Sequence, residues 1–268
     1  MRGIYKVLLA SAAVAMSVGV AHAETTYSVA SGIDFSSGDY GGATDTEVVS
    51  LPLVVRVTNG KWAFRASTSY LQIDGPADVA DVDAGAGDGT GGAGGSSGTP
   101  IRSGTERGIG DTNLSVSRTF RRVGGTDAYF ETTARVRLPT GDEDAGLGVG
   151  ATDYQLAGEV GVNKRGGGGS IELARRFLGD RAGVQREDGW QLSANTWMRT
   201  GEHTQLGAFG SWREAAIVGR DDPAQVGVFV TQQLTSNVRV SVNASGGLSD
   251  GSPDYATGIR FTWRPSND

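Results

Sequence analysis

The side chains best suited to chemistry in this chain are Arg56, Arg65, Arg135, Arg137, Arg199, Arg213, Arg239 and Arg260, with Asp111, Glu131, Glu159 and Glu172. Each occupies a polar position in a segment where polar and apolar residues alternate. All are therefore expected on one side of a sheet. Two readings of such a set stand side by side. Facing an enclosed axis, these charges would line a pore and filter solutes by sign. Paired as Arg–carboxylate neighbours across strands, they would instead fill a narrow barrel and stiffen it. Both signs are present, so the sequence leaves both readings open.

Nucleophilic and metal chemistry have little to work with. Beyond residue 23 the one histidine is His203, at a tight turn, and the chain has no cysteine. A Ser-His-Asn lipase site in a twelve-strand barrel would need its histidine beside a serine at the other rim. A zinc site would need more ligands than this. No catalytic residue, metal or cofactor is assigned. The run Gly166–Gly169 lacks the Lys-Ser/Thr of a phosphate loop. After Asp74, the stretch Gly75 to Thr105 sets Asp78, Asp81, Asp83 and Asp88 among glycines. That spacing matches no defined calcium loop. Residues 75–106 are expected to form an acidic, solvated extracellular loop, with pore constriction as its other use.

The elements that must hold the charged set are strands. Alternating segments run near 25–35, 46–58, 61–73, 108–121, 127–139, 152–164, 169–178, 188–200, 203–214, 224–234, 237–248 and 254–263. Several exceed the ~5–6 residues usual in soluble strands and suit the ~9–11 needed to cross a bilayer at a tilt. In the last segment Tyr255, Thr257, Ile259, Phe261 and Trp263 share one face, and Ala256, Gly258, Arg260 and Thr262 the other. Connections alternate in length. They are short at Asn59-Gly60, 123–126, 165–168, Gly201-Glu202 and Thr235-Ser236, and mostly longer at 36–45, 74–107, 140–151, 179–187, 215–223 and 249–253. Asn-Gly between strands is a strong hairpin signal, because both turn residues take positive φ.

Short turns at one end and long loops at the other are the outer-membrane pattern, for which a soluble sandwich has no reason. The expected fold is all-β: a transmembrane antiparallel up-and-down barrel of about 12 strands, one domain over 24–268. Hydrocarbon offers backbone groups no partner, so the last strand must pair with the first. Tyr27, Phe35, Trp62, Tyr70, Tyr154, Trp190, Trp212, Tyr255 and Trp263 near strand ends would form two aromatic girdles. Arg118 and Arg175 fall on the outward face, where they would snorkel near an interface or mark a bulge.

Residues 1–23 read as a signal peptide. Arg2 and Lys6 precede an apolar stretch from Val7 to Val20, and Ala21-His22-Ala23 supplies the cleavage site. The destination expected is a Gram-negative-type outer membrane, with both mature termini periplasmic. Outer-membrane lipid, the barrel assembly machinery and a small-molecule solute are the expected partners. Removing Arg2 and Lys6 from the 24 basic residues leaves 22 against 30 acidic ones. That balance argues against nucleic acid.

Two adjoining runs carry a family likeness. Gly108-Ile109-Gly110-Asp111 resembles the G-[LI]-G-D strand opening of outer-membrane transporters in the phenol-degradation meta-pathway family. Arg137-Leu138-Pro139-Thr140-Gly141-Asp142, then Gly146-Leu147-Gly148-Val149-Gly150 and Asp153, resembles the strand and loop that follow there. The likeness covers about 107–164. It implies an outer-membrane barrel that passes small, hydrophobic or aromatic molecules, and it carries over no site residues. Read physically, Pro139 suits a strand end, and Gly146, Gly148 and Gly150 can take positive φ, so the motif would shape a loop.

Overall fold

A computed structural model describes residues 25–42, 44–76, 103–121 and 126–265. The expected signal peptide and most of the acidic stretch lie outside the described residues. The strands are β1 (Thr25–Gly38), β2 (Thr46–Asn59), β3 (Trp62–Pro76), β4 (Ser103–Ile109), β5 (Thr112–Arg121), β6 (Ala128–Leu138), β7 (Asp153–Lys164), β8 (Gly167–Phe177), β9 (Gly189–Arg199), β10 (Thr204–Arg213), β11 (Ala224–Gln233), β12 (Val238–Gly247) and β13 (Tyr255–Trp263). Each pairs antiparallel with its chain neighbours, except that β4 and β5 both pair with β3 as halves of one barrel strand. The pairing Val29↔Trp263 to Ser37↔Tyr255 closes the ring. The result is a closed barrel of 12 strands, with β4 paired on its β3 side only and no helix among the described residues.

The fourth strand departs from expectation in two ways. It begins at Ser103, and β3 runs on to Pro76, so the ends of the expected 75–106 loop belong to the sheet. It is also interrupted. Between the pairs Tyr70↔Ile109 and Ser67↔Asn113, residues Gly110, Asp111 and Thr112 oppose only Thr68 and Ser69. One extra residue is a β-bulge, and it swaps the faces. Odd-numbered Ile109 points outward above it and even-numbered Leu114 below it. A smaller correction falls on the glycine run: Gly167 and Gly168, expected in a turn, start β8.

The outward face is apolar and exposed on every strand, as in Leu51, Phe64, Leu156, Ile171, Val228 and Phe261. A face this greasy is stable only against hydrocarbon. Tyr27, Trp62 and Trp263 ring the short-turn end, and Tyr70, Tyr154, Trp190 and Tyr255 the long-loop end. The two outward arginines sit at these girdles. Arg118 lies over the rings of Trp62 and Phe120, at 5.2 and 4.9 Å, and Arg175 over Trp190 at 5.2 Å. Each guanidinium thus stays at headgroup depth on an aromatic face.

Inward, large rings are laid flat by missing side chains. Phe229 covers Gly207 and Phe209 covers Gly227, where a Cβ would come within 2.2 and 2.4 Å of the rings. These reciprocal pairs keep bulky residues against the wall.

Candidate functional site: the charged interior and its rim

At the long-loop end the bulge organises a rim. Asp111 accepts hydrogen bonds from the backbone N–H of Gly141 (3.0 Å) and of Val149 (2.9 Å). The two ends of the 139–152 loop are thereby clamped to the strand break. Thr140 donates to the Gly110 carbonyl (3.2 Å), and Asp142 Oδ1 accepts from the N–H of Asp144 and Ala145 (3.0 and 3.2 Å). So held, the loop carries Leu147 onto Val48, Leu71 and Ile73, inward residues of β2 and β3, and onto Tyr40.

The motif glycines are space for this fold. Gly146 and Gly150 take φ of 68° and 70°, but Gly148, expected to do the same, does not. Its constraint is contact: a Cβ there would lie 2.5 Å from Asp111 Oδ1 and 2.9 Å from Gly141. Gly108 likewise leaves room for Leu147, which a Cβ would approach to 2.6 Å. Tyr40 adopts φ of 51°, a left-handed conformation strained for a bulky residue. Its hydroxyl bonds Ser36 Oγ at 2.7 Å. Burial pushes the Tyr40 phenol up to about 12; the Ser36 bond opposes that shift and Asp254 adds to it.

Beside the rim sits a second clamp. Arg186 grips Asp153 through Nη1–Oδ1 (2.8 Å) and Nη2–Oδ2 (2.7 Å), and donates to the Gly179 carbonyl (2.8 Å). Gly179 N–H returns a bond to Asp153 Oδ1 (2.9 Å), and Arg137 stands 3.7 Å from Oδ2. The ion pair is nearly dry, with 5% and 9% of the two side chains exposed.

The predicted charged residues fall on the inward side of their strands, by parity with buried small polar residues. Register sorts them into rows. Pairing links Arg56 to Arg65, Arg65 to Ser115, Ser115 to Arg135, Arg135 to Gln155 and Gln155 to Arg176. A second row links Thr119, Glu131, Glu159 and Glu172. There Thr119 donates to Glu131, and Tyr129 to Glu159 at 2.5 Å. Between the rows lie Ser117, Thr133, Ala157 and Ala174. Arg137 and Arg213 belong to the crowded long-loop end, and Arg239 bonds Gln233 at 3.3 Å. Arg260 bonds Asp34 at 3.1 Å, tying β13 to β1 across the closing seam. Arg199 is exposed at the short-turn end and does not join a row. His203 is exposed at a short turn, where its carbonyl accepts from Gln233 N–H.

Arg176 and Arg186 escaped the sequence reading. Alternation through Arg175-Arg176 carried the signal for the first. Arg186 sits in an irregular loop and carried none. At this level Asn113, Arg135, Asp153, Gln155, Arg176 and Gln191 line a cavity of about 30 Å³, room for a water or two.

An apolar belt outside, charged rows inside and a loop folded onto the rim define the class: a porin-like outer-membrane β-barrel. No protein-family model matches the chain, and no curated protein matches it in sequence. Its fold does have solved counterparts. An outer-membrane channel from Pseudomonas putida F1 is similar with a TM-score of 0.66 at 12% identity, covering 93% of this chain and 100% of that one. The KdgM porin is similar at 0.53 and 8% identity, covering 88% and 98%. KdgM in complex with disordered oligogalacturonate scores 0.51 at 9%, covering 90% and 99%. At such identities the likeness is one of fold.

Proposed function

We propose that the chain is a passive channel for small molecules in a Gram-negative-type outer membrane, with short turns and both mature termini periplasmic. One observation carries the reading: a closed sheet turns an apolar face outward, with Arg118 and Arg175 at its aromatic girdles, while charged, half-buried rows face an enclosed axis. Outer-membrane lipid, the assembly machinery that inserts barrels and the solute are its partners. Membership in the phenol-degradation meta-pathway family belongs to the same proposal, supported by the structural job each motif residue has at the bulge and loop. The finer expectation of a hydrophobic or aromatic solute rests on that resemblance. An inner wall of Ser, Thr, Asn, Gln and Arg favours a polar or charged one.

Liposome swelling and single-channel recording on the purified mature protein test the channel. Solute flux and discrete conductance are expected. A sealed bilayer would remove the reading and leave a structural or adhesive barrel with a packed interior. The burial of Arg176, Arg213 and Arg260 is the observation favouring that second reading. No lipid hydrolysis is expected, with or without His203→Ala.

A further inference from the structure

We propose that Arg56, Arg65, Arg135 and Arg176 form a staircase along which small anions, carboxylates foremost, cross the barrel, which makes the channel anion-selective. The proposal deepens the channel reading and rests on it.

The row follows the hydrogen-bond direction from strand to strand. Because barrel strands tilt by ~40° and stand ~4.8 Å apart, each step climbs about 3 Å along the axis. The strand positions agree. Arg56 lies three residues before Asn59 and Arg65 three after Trp62, both near the short-turn end. Arg176 immediately precedes Phe177, at the long-loop end, and Arg135 lies between. One line of guanidinium groups thus runs from near one mouth to near the other.

Structural pairing does not account for two of its members, Arg56 and Arg135. Arg56 directly opposes Arg65, and like charges directly opposite destabilise a sheet. On β1, β2, β3 and β5 the only inward carboxylate is Asp34, already held by Arg260, and Glu106 of β4 stands opposite Ile73, eight residues along β3 from Arg65. Arg56 and Arg135 make no hydrogen bond or ion pair among the described residues, and both are only partly exposed. A charge in that setting needs water or a mobile anion for company. The carboxylate row would attract cations, but it is confined to β6, β7 and β8 and stays about 13 Å, four residues, along the strands from the arginines. Two of its acids are occupied by Thr119 and Tyr129.

The test uses the mature protein in a planar bilayer under a potassium chloride gradient, then potassium acetate. Chloride is expected to permeate about threefold or more better than potassium, with acetate also carrying current. Arg56→Gln/Arg135→Gln should bring that ratio close to one, Arg56→Lys/Arg135→Lys should keep it, and Glu131→Gln should raise it. Should the double glutamine variant fail to fold, Arg56→Gln alone must lower the ratio. Conductance that prefers potassium, or a ratio indifferent to these changes, overturns the staircase alone. No conductance at all overturns the channel reading and the staircase with it.

Discussion

Between β2, β3 and the 139–152 loop, the inward side chains are Val48, Leu71 and Ile73, closed over by Tyr40 and Leu147 as a small dry core. Between β6 and β9 the same inward side carries Arg135, Arg137, Glu159, Glu172 and Arg176. Both regions obey one alternation, and their outward faces are alike. The difference lies in what comes to cover the inner face. Where a clamped loop folds in, burial of apolar groups stabilises the contact. Where the wall carries charge, polar partners and counter-charges stabilise it, as Arg186 does for Asp153 and as Thr119 and Tyr129 do for Glu131 and Glu159. A barrel interior is therefore not one environment, and its loops decide which part becomes apolar core and which keeps its charges.

Breaking the dry ion pair beside the charged wall should have the largest effect. Arg186→Ala leaves Asp153 buried with the Gly179 N–H and, as counter-charge, Arg137 at 3.7 Å, and the expected cost is about 3–5 kcal/mol. Denaturant unfolding in detergent measures it, and protease nicking near 178–188 should appear first. An unchanged midpoint would show that water already compensates Asp153. On the core side, Leu147→Ala should cost about 2–4 kcal/mol by cavity formation, read in the same unfolding experiment. Asp111→Ala should follow at about 1–3 kcal/mol, because two partly buried N–H groups lose their acceptor. Faster exchange at the Gly141 and Val149 amides, with β5 unaffected, is its signature.

The smallest effect sharpens the comparison by pH. The Tyr40 phenol, about 12 when folded against 10 for an ordinary tyrosine, is neutral in both states below pH 10. Its contribution is full there and is lost as pH rises through about 12. The wild type should therefore lose stability over that window relative to Tyr40→Phe, whose only deficit near neutrality is the Ser36 bond, about 1 kcal/mol. Parallel pH curves would mean that the phenol is not buried as described.

Much of this was legible in the residues. Tyr255 to Trp263 announce a strand with a greasy side and a wet side, and Asn59-Gly60 announces a turn between β2 and β3, although the turn falls one residue later. Asn59 pairs with Trp62, and of the turn residues Gly60 and Lys61 only Gly60 takes positive φ. Such signals are local, since a two-residue period between lipid and water writes itself into every strand. The Gly110-Asp111 bulge was invisible as a bulge, because one inserted residue reads like continued strand until a partner reveals the mismatch. The clamp of Arg186 on Asp153 was hidden for a related reason: 33 residues of chain separate the two, and no periodicity marks a loop.

The sequence by itself determined that the chain alternates and turns, and which residues within one uninterrupted strand share a face. Only the tertiary structure decided that Arg56, Arg65, Arg135 and Arg176 share one rising line and that Leu147 lands on Leu71. Faces are set by neighbours along the chain. Rows and packed rims are set by register between strands, which depends on shear, on the bulge and on how each loop is tethered.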